Sequence, residues 1–454
     1  MKIRIPEYVN QVLAVLESAG WEAYVVGGCV RDALLAREPE DWDVCTCAKP
    51  SSIKSAFSDW RTIDTGLKHG TVTVLSEGHP VEITTYRIDG NYSDGRHPDS
   101  VSFTDDLTAD LSRRDFTMNA IAYREERGLV DPFGGAADIA AGVIRCVGDP
   151  AQRFSEDALR IMRALRFASV LGFAIEPATL AAVRAMAGSV RRVAVERINV
   201  EFSKLILGAG ADRILTEERS ALEEALGTAL PAVAAGGSPA EEASGGLLAE
   251  KAAGGSPAEK AAGTTLRPRV PLAELPAELP IRLAALRPLP LKALKYDNRT
   301  IRLAKRMGAC ADRIAAQGQQ TGADPEKQGD AVPKMQVIDH ARRADTVPDE
   351  DGTDRVLLLQ LMRDYGPEAA AGGLLLCGLS DEPVRKLVEE GAVYSIAQLA
   401  VGGNDLTTLT GKEIGNTLRL LLDAVIEGRV PNDRGALLEF VNERSNLRRK
   451  KSTS

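Results

Sequence analysis

The sequence predicts an α+β protein in which a small mixed sheet with helices is followed by an all-helical remainder. In the first part, short apolar runs end at turn residues: residues 24–26 run into two glycines, and residues 71–75 and 81–86 alternate around the segment Ser-Glu-Gly-His-Pro. From about Arg153 the spacing changes, and Ile161, Leu165 and Ala168 recur as they do on one face of a helix. A period of two predicts strands and a period near 3.6 predicts helices.

The composition limits the class of protein. The chain has 454 residues, of which 26% are charged and 4% aromatic, and its net charge is −8. Its apolar runs are far shorter than the ~20 residues of a membrane-spanning helix, and its first residues lack the apolar core of a secretion signal. Six scattered cysteines favour reduced thiols in the cytoplasm. The acidic total does not indicate a nucleic-acid-binding protein, but residues 153–197 contain eight arginines against four acidic residues.

The elements of the first part can be assigned in order. We expect a helix at residues 6–20, with Val9, Val12, Leu13 and Leu16 on its apolar side, and a second helix at 50–58. Residues 89–110 are polar and rich in turn residues, which predicts a long functional loop. A helix is predicted to open at 113–120, followed by a turn at 131–135.

The remainder of the chain is predicted to be helical with one interruption. Ala-Ala-Gly-Gly-Ser-Pro-Ala-Glu occurs at 234–241 and again at 252–259, so residues 233–263 are predicted to be a flexible insertion. Further helices are expected around 290–307, 353–365, 382–391 and 411–427.

The segment from Tyr24 to Asp43 carries the first chemical signal. An apolar strand, the turn Gly27-Gly28 and a short helix with Arg31 would bring backbone N–H groups and a guanidinium to a phosphate. Asp41 and Asp43, two residues apart, would project from one face of the next strand, where paired carboxylates favour Mg²⁺. Each signal alone also fits an ordinary turn or a solvated strand edge. Together they suggest nucleotidyl or phosphoryl transfer.

Five motifs occur in the order and at the spacing of a known family. They are Gly-Gly-x-x-Arg-Asp, Asp-x-Asp, Arg-Arg-Asp-Phe-Thr-x-Asn-Ala, Asp-Pro-Phe-Gly-Gly and Glu-Asp-Ala-Leu-Arg-Ile-Met-Arg-Ala-Leu-Arg-Phe, beginning at residues 27, 41, 113, 131 and 156. With them the chain resembles the class II CCA-adding enzymes of the tRNA nucleotidyltransferase and poly(A) polymerase family. Outside 233–263 the resemblance covers nearly the whole chain. It implies four parts: a polymerase-β-like nucleotidyltransferase head at 1–145, followed by an all-α neck at 146–205, body at 206–345 and tail at 346–454.

The resemblance implies a metal and triphosphate site. Asp41 and Asp43 would hold two Mg²⁺ ions that activate an RNA 3′-hydroxyl and stabilise the leaving pyrophosphate. Glu82, on a neighbouring strand, is the predicted third catalytic carboxylate, although an exposed strand residue is an equal alternative. Gly27, Gly28 and Arg31 would bind the triphosphate, with Asp32 orienting Arg31.

Further roles follow from the same resemblance. Arg114 and Asp115, together with Asn119 on the same predicted helix, resemble the residues that recognise the ribose. The alternative from the residues alone is a helix-capping aspartate beside solvated arginines. Arg96 and Pro98 resemble the family's mobile loop, which matters for the change from C to A addition.

Asp157 and Arg160 are the predicted base-recognition pair. Three residues apart on a helix, they would share a face. A carboxylate accepts a hydrogen bond from an exocyclic amino group, and a guanidinium donates to a ring nitrogen, so one pair can recognise both cytosine and adenine and reject uracil and guanine. The alternative is a surface ion pair of little energetic value. Arg163 continues the face, where it would support the pair or contact the triphosphate.

The resemblance implies template-independent addition of CCA to the 3′ end of tRNA from CTP and ATP. Enzymes that add only A, only CC, or poly(A) are the related alternatives, and a non-catalytic tRNA-binding protein is the alternative of a different class. Basic helices and the basic tail at 448–451 would hold the acceptor arm through phosphate contacts and shape. No membrane partner is expected, and the oligomeric state stays open.

Overall fold

The structure is a computed structural model that describes residues 2–64, 66–67, 70–90, 100–231, 270–320, 355–407 and 409–451. It forms two compact units, Met1–Leu230 with Leu289–Lys295, and Pro231–Pro288 with Tyr296–Ser454. The four-part division of the chain stays a prediction, and the predicted insertion at 233–263 lies outside the described residues.

The first unit contains a seven-stranded mixed sheet with two small sheets beside it. The strands are β1 (Ala23–Val26), β2 (Asp43–Thr46), β3 (Thr62–Ile63), β4 (Thr71–Ser76), β5 (His79–Thr85), β6 (Arg87–Asp89), β7 (Val101–Phe103), β8 (Ala122–Arg124), β9 (Gly128–Val130), β10 (Val143–Ile144) and β11 (Ala174–Ile175). The large sheet has the order β3-β4-β5-β2-β1-β8-β9. Only β2 and β5 run parallel in it, while β6 with β7 and β10 with β11 form the two-stranded sheets.

Eleven described helices belong to the first unit. They are α1 (Glu7–Ser18), α2 (Gly28–Leu34), α3 (Pro50–Ala56), α4 (Leu107–Ser112), α5 (Gly135–Ala141), α6 (Pro150–Glu156), α7 (Leu159–Leu171), α8 (Pro177–Met186), α9 (Val195–Leu207), α10 (Ala211–Glu217) and α11 (Arg219–Leu226). The predicted α+β class, with a mixed sheet followed by helices, is confirmed.

Several predicted elements of the head are present. The four apolar residues assigned to the first helix are completely buried on α1, because their spacing places them on one face. Strands β4 and β5 form the predicted hairpin, and its turn is made by Glu77 and Gly78, which both have positive φ, 52° and 84°. The predicted turn at 131–135 is closed by Asp131, whose carboxylate accepts hydrogen bonds from the N–H groups of Gly135 and Ala136 at 2.7 and 2.9 Å.

Two predictions for residues 89–120 are wrong. The expected loop at 89–110 contains strand β7, which pairs with β6, and the start of α4. The expected helix at 113–120 is absent, and only a 3-10 turn at Thr117–Asn119 occurs there. Phe116 instead forms a β-bridge with Cys146, and the N–H of Thr117 donates to the carbonyl of Arg145 at 2.9 Å. Tertiary backbone pairing therefore replaces the helix.

The described residues of the second unit form helices joined by turns and short irregular segments. Its helices are α12 (Leu279–Ala285), α13 (Asn298–Gln320), α14 (Arg355–Tyr365), α15 (Pro367–Leu376), α16 (Glu382–Glu389), α17 (Lys412–Ile426) and α18 (Arg434–Lys451). The helices expected around 353–365, 382–391 and 411–427 are present, whereas the one expected from residue 290 begins only at Asn298. Leu358, Met362, Leu374 and Leu387 belong to one buried cluster of this unit. Among the described helices, none has the length and apolar character needed to cross a lipid bilayer.

Candidate nucleotide-binding site

The turn between β1 and α2 requires glycine. Gly27 precedes the helix with φ 84° and ψ −126°, a conformation that residues with a side chain rarely adopt. A Cβ atom at this position would lie 3.0 Å from Nη1 of Arg114. The predicted sequence of strand, glycine turn and short helix is confirmed, and the turn lets the guanidinium of Arg114 approach the backbone.

Arg31 is fixed by two side chains. Its Nε and Nη2 donate to the two oxygens of Asp32, each at 2.9 Å, and its Nη1 donates to Oδ1 of Asn119 at 2.7 Å. The side chain is only 11% exposed. The predicted contact with Asp32 is present, and a planar guanidinium held in this way offers its remaining face in one orientation.

The carboxylates meet at the pair of parallel strands. Asp43 is the first residue of β2 and lies in register with Glu82 of β5. Asp41 was expected on the same strand but lies two residues before it, so that part of the prediction is wrong. Trp42 between them is buried, while Asp41 is exposed and Asp43 half-buried, so the alternation continues beyond the strand.

The pKa of Asp43 reports this crowding. Burial, then the negative charges of Asp41 and Glu82, raise the pKa of Asp43 from 3.8 to about 6, and Arg114 opposes the rise. A cation placed among these carboxylates would relieve their repulsion. Within the described part of the chain, no three His, Cys, Asp or Glu side chains converge closely enough to hold a metal on their own. Asp41, Asp43 and the neighbouring Glu82 are the carboxylates that could hold a divalent cation, with waters and substrate phosphates as its other ligands.

Asp115 organises the segment after α4. Its Oδ1 accepts hydrogen bonds from the N–H of Phe116 at 2.8 Å and from Nδ2 of Asn119 at 3.0 Å, and its Oδ2 accepts one from Nε of Arg163 at 2.7 Å. Burial alone would raise the pKa of Asp115, but Arg163 and Asn119 outweigh burial and lower it to about 2. Asn119 lies in the 3-10 turn, not on the expected helix, yet it still reaches both Asp115 and Arg31.

Arg113 and Arg114 share a buried anchor. Asp110, completely buried on α4, forms ion pairs with Arg113 at 2.8 Å and with Arg114 at 3.3 Å. The carboxylate of Asp110 also accepts from the backbone N–H of Arg87 at 3.2 Å. One acidic side chain thus positions two arginines next to each other in sequence.

Asp157 and Arg160 do not form the expected pair on one helix. Helix α6 ends at Glu156, Asp157 is extended with φ −140°, and α7 begins only at Leu159. Oδ1 of Asp157 accepts from the N–H of Leu159 at 3.0 Å, and Oδ2 accepts from Nη2 of Arg197 at 2.9 Å. Arg160 donates to Glu156 at 2.6 Å and to two backbone carbonyls.

One cavity of about 950 Å³ nevertheless unites these side chains within the first unit. It is lined by all of the predicted site residues that the structure describes except Glu82: Gly27, Gly28, Arg31, Asp41, Asp43, Arg114, Asp115, Asn119, Asp157, Arg160 and Arg163. Glu82 is next to the cavity only through its strand register with Asp43. The two predicted loop residues, Arg96 and Pro98, lie outside the described residues.

Arg113, Phe167 and Arg197 are among the lining residues that were not predicted as site residues. Phe167 lies among arginines, with the guanidinium carbons of Arg31 and Arg166 at 5.0 and 3.7 Å from its ring centre. Arg197 and Phe167 belong to the arginine-rich segment noted in the sequence, which was the available signal. Arg113 directly precedes the predicted site residues Arg114 and Asp115. Its spacing in the sequence, however, does not distinguish a cavity-lining arginine from a solvated one.

Comparisons with known proteins agree with this geometry. Residues 23–145 match the family model for the poly A polymerase head domain, and residues 172–217 match the model for a probable RNA and SrmB-binding site of polymerase A. The chain is 52% identical over 202 residues to the CCA-adding enzyme of Limosilactobacillus fermentum, and 50% identical over 211 residues to that of Levilactobacillus brevis. These matches cover 44% and 46% of this chain, and 50% and 53% of the relatives. The matched part thus spans about half the length of the curated relatives.

A solved structure extends the comparison to the fold. The crystal structure of the Bacillus stearothermophilus CCA-adding enzyme in complex with CTP is similar with a TM-score of 0.71 and 28% identity, covering 98% of this chain and 100% of that one. The predicted resemblance to CCA-adding enzymes is thereby confirmed, in sequence over nearly half of the chain and in fold over nearly all of it.

Proposed function

We propose that this protein builds or repairs the 3′-terminal CCA of tRNA, adding nucleotides from CTP and ATP without a nucleic-acid template. The observation that carries the proposal is the single cavity in which paired aspartates, a glycine turn with a fixed arginine, and an Asp/Arg set meet. Transfer of a nucleotide needs these three parts, namely a metal site, a triphosphate site and a site for the base. The similarity to CCA-adding enzymes supports the same choice.

The reaction would join the RNA 3′-oxygen to the α-phosphorus of the nucleotide and break the bond between that phosphorus and the pyrophosphate. Asp41 and Asp43 would hold two Mg²⁺ ions, which supply activation of the hydroxyl and charge stabilisation of the leaving group. Glu82 would add a third carboxylate from the neighbouring strand. Because the pKa of Asp43 is about 6, this side chain is ionised and able to bind the cation above that pH.

Arg31 and the glycine turn would bind the triphosphate. The N–H groups at the start of α2 and the guanidinium of Arg31, already oriented by Asp32 and Asn119, are donors suited to phosphate oxygens. Arg114 and Asp115 would contact the ribose, and Arg163, which is bound to Asp115, would link the ribose site to α7. Rigid donors of this kind lose little conformational freedom when the nucleotide binds.

Asp157 and Arg160 would select the base, although they use a different local structure from the expected one. An amino group of cytosine or adenine can donate to Asp157 while Arg160 donates to the adjacent ring nitrogen. Uracil and guanine present a carbonyl where Asp157 needs a donor. The unpaired polar groups then disfavour both bases strongly.

The acceptor end of tRNA is the proposed partner, held by arginines of the first unit and by the second unit through phosphate contacts. We place the protein in the cytoplasm, since all six cysteines are free thiols. Adding only A, or poly(A), would use the same cavity and stays the related alternative. A non-catalytic tRNA-binding protein would have no use for the crowded carboxylates around Asp43, because they repel both each other and an RNA phosphate.

An extension assay tests the proposal. One tRNA is prepared lacking CCA, ending in C and ending in CC, and each form is incubated with Mg²⁺ and CTP, ATP or both. We expect all three to grow to a common CCA end. Asp43→Ala should abolish growth, while Asp59→Ala, at an exposed aspartate outside the cavity, should not.

The other outcomes separate the alternatives. Growth of the CC form alone would indicate an A-adding enzyme, and long ATP-dependent tails would indicate a poly(A) polymerase. No growth in any reaction with tRNA still bound would refute the enzymatic proposal.

A further inference from the structure

Helix α9 contributes an arginine to the proposed base site, and this arginine lies 40 residues after Asp157 in the chain. Nη2 of Arg197, near the start of α9, donates to Oδ2 of Asp157 at 2.9 Å. Both side chains are largely buried, with exposed fractions of 27% and 15%. Four residues further along the same face, Glu201 pairs with Arg166 at 2.6 Å. This face of α9 therefore supports the α7 wall of the cavity.

Asp157 depends on this contact because it is not held by a helix. Its backbone is extended between α6 and α7, and its carboxylate has two described hydrogen bonds, one to the N–H of Leu159 and one to Arg197. The first is local and leaves the carboxylate plane free to turn about the bond to Cβ. The second fixes the plane from a separate helix.

A second feature distinguishes Arg197 from a structural ion pair. Its Nη1 atom is buried and has no hydrogen-bond acceptor among the described residues, although the side chain lines the cavity. A buried donor on a charged group is costly to leave unpaired, and native structures seldom leave one without a reason. Arg197 therefore keeps one buried donor that its contact with Asp157 does not use.

We propose that Arg197 is a positioning residue for base selection, which holds the carboxylate of Asp157 so that it accepts an amino group and disfavours a carbonyl. The inference rests on the proposed function, since it assigns the preference for cytosine and adenine to a pair instead of to Asp157 alone. Without Arg197, the carboxylate can rotate away from a uracil carbonyl and the penalty against uracil falls. The loss is therefore one of discrimination more than of affinity.

Calorimetric titration with CTP and with UTP, in Mg²⁺ and without RNA, tests the proposal. We expect the wild-type protein to prefer CTP, and Arg197→Met to lower this preference on the order of tenfold, the factor that corresponds to one hydrogen bond to a charged group. Arg184→Met is the matched control. Arg184 lies on α8, outside the cavity, and pairs with Glu218 at 2.6 Å. Its replacement should therefore leave the preference for CTP over UTP unchanged.

A double-mutant cycle shows whether Arg197 acts through Asp157. In an Asp157→Ala background, Arg197→Met should cause no further loss of preference. Equal weakening of CTP and UTP binding by Arg197→Met, with the preference kept, would mean a purely structural role and overturn the proposal. A wild-type protein that binds both nucleotides equally would also overturn it.

Folding of the variant and the proposed function are tested separately. If Arg197→Met has lost its helical circular dichroism, Arg197→Lys is measured instead, which keeps the cation but donates from a single nitrogen. A smaller loss of preference is then expected, and an unchanged preference overturns the proposal. Because binding needs neither RNA nor catalysis, failure of the wild-type protein to extend tRNA would refute the proposed function and leave the base-selection result interpretable.

Discussion

Replacing Asp43 by asparagine should stabilise the first unit at neutral pH while it removes one carboxylate of the proposed metal site. The pKa of Asp43 is raised from 3.8 to about 6 by burial and by neighbouring carboxylates. At about 1.4 kcal/mol for each pH unit, the difference corresponds to about 3 kcal/mol of repulsion and desolvation in the ionised state. Asparagine has nearly the same shape and does not ionise.

The direction in which the free energy of unfolding changes with pH follows from proton binding. Between pH 4 and 6 the folded protein keeps the proton on Asp43 while the unfolded chain has lost it, so the free energy of unfolding falls as pH rises. Relative to Asp43→Asn, the wild-type protein should lose about 3 kcal/mol between pH 4 and 8. The gap, meaning the difference in unfolding free energy between Asp43→Asn and the wild-type protein, should be constant above about pH 7.

Urea unfolding followed by tryptophan fluorescence, in EDTA, measures this gap. All three tryptophans, Trp21, Trp42 and Trp60, lie in the first unit, so the signal reports that unit alone. Asp59→Asn, at an exposed position outside the cavity, is the matched control, and its gap to the wild-type protein should not grow with pH.

The proposed function has Mg²⁺ bind the folded wild-type protein, so Mg²⁺ should stabilise that protein by mass action and narrow its difference in unfolding free energy from Asp43→Asn. A gap between wild type and Asp43→Asn that does not depend on pH, or a variant less stable than the wild-type protein at pH 8, would refute the reasoning.

Three further variants test the other walls of the cavity. Asp115→Asn removes the carboxylate that Arg163 contacts at 2.6 Å and leaves it Glu201 at 3.8 Å, and it should cost about 3 kcal/mol of unfolding free energy at pH 7. Since the pKa of Asp115 is lowered to about 2, this cost should shrink as pH falls from about 4 through 2. A cost that does not depend on pH in urea titrations would contradict the reasoning. Gly27→Ala combines an unfavourable φ of 84° with a Cβ at 3.0 Å from Arg114, and should lower kcat/KM for CTP roughly tenfold to a hundredfold. An unchanged kcat/KM would contradict the close approach of Arg114 to the glycine turn. Arg31→Lys loses the two-point contact with its neighbouring carboxylate and should raise the Kd for CTP about tenfold in calorimetry, whereas an unchanged Kd would exclude Arg31 from the triphosphate site.

Local patterns in the sequence were sufficient for much of the fold. The apolar face of α1, the β4–β5 hairpin and the glycine turn before α2 depend on neighbouring residues, and all were predicted. The meeting of Asp43 with Glu82 was harder to predict, because α3, β3 and β4 separate the parallel strands β2 and β5 along the chain. Glu82 was predicted only as a candidate carboxylate on a neighbouring strand, and its register with Asp43 is a finding of the structure.

The failures share a physical cause. The segment at 113–120 has helix-compatible residues, yet the carboxylate of Asp115 accepts from the next backbone N–H, and backbone pairing with Arg145 and Cys146 competes with the helix. Asp157 interrupts α6 and α7 in the same way, since its carboxylate takes the N–H of Leu159 as a helix cap does. Spacing alone cannot distinguish a short polar residue within a helix from one that ends it.

The walls of the cavity come from distant parts of the chain. The contact between Arg31 and Asn119 spans 88 residues, that between Asp115 and Arg163 spans 48, and that between Asp157 and Arg197 spans 40. Contacts of such separation close late, because the loop entropy is lost before the contact is gained. During synthesis, the cavity cannot assemble until the ribosome has passed Arg197. A fragment that stops at residue 145 would carry the carboxylates and the glycine turn, but would lack the wall that holds Asp157 and Arg160, the proposed base-selecting residues.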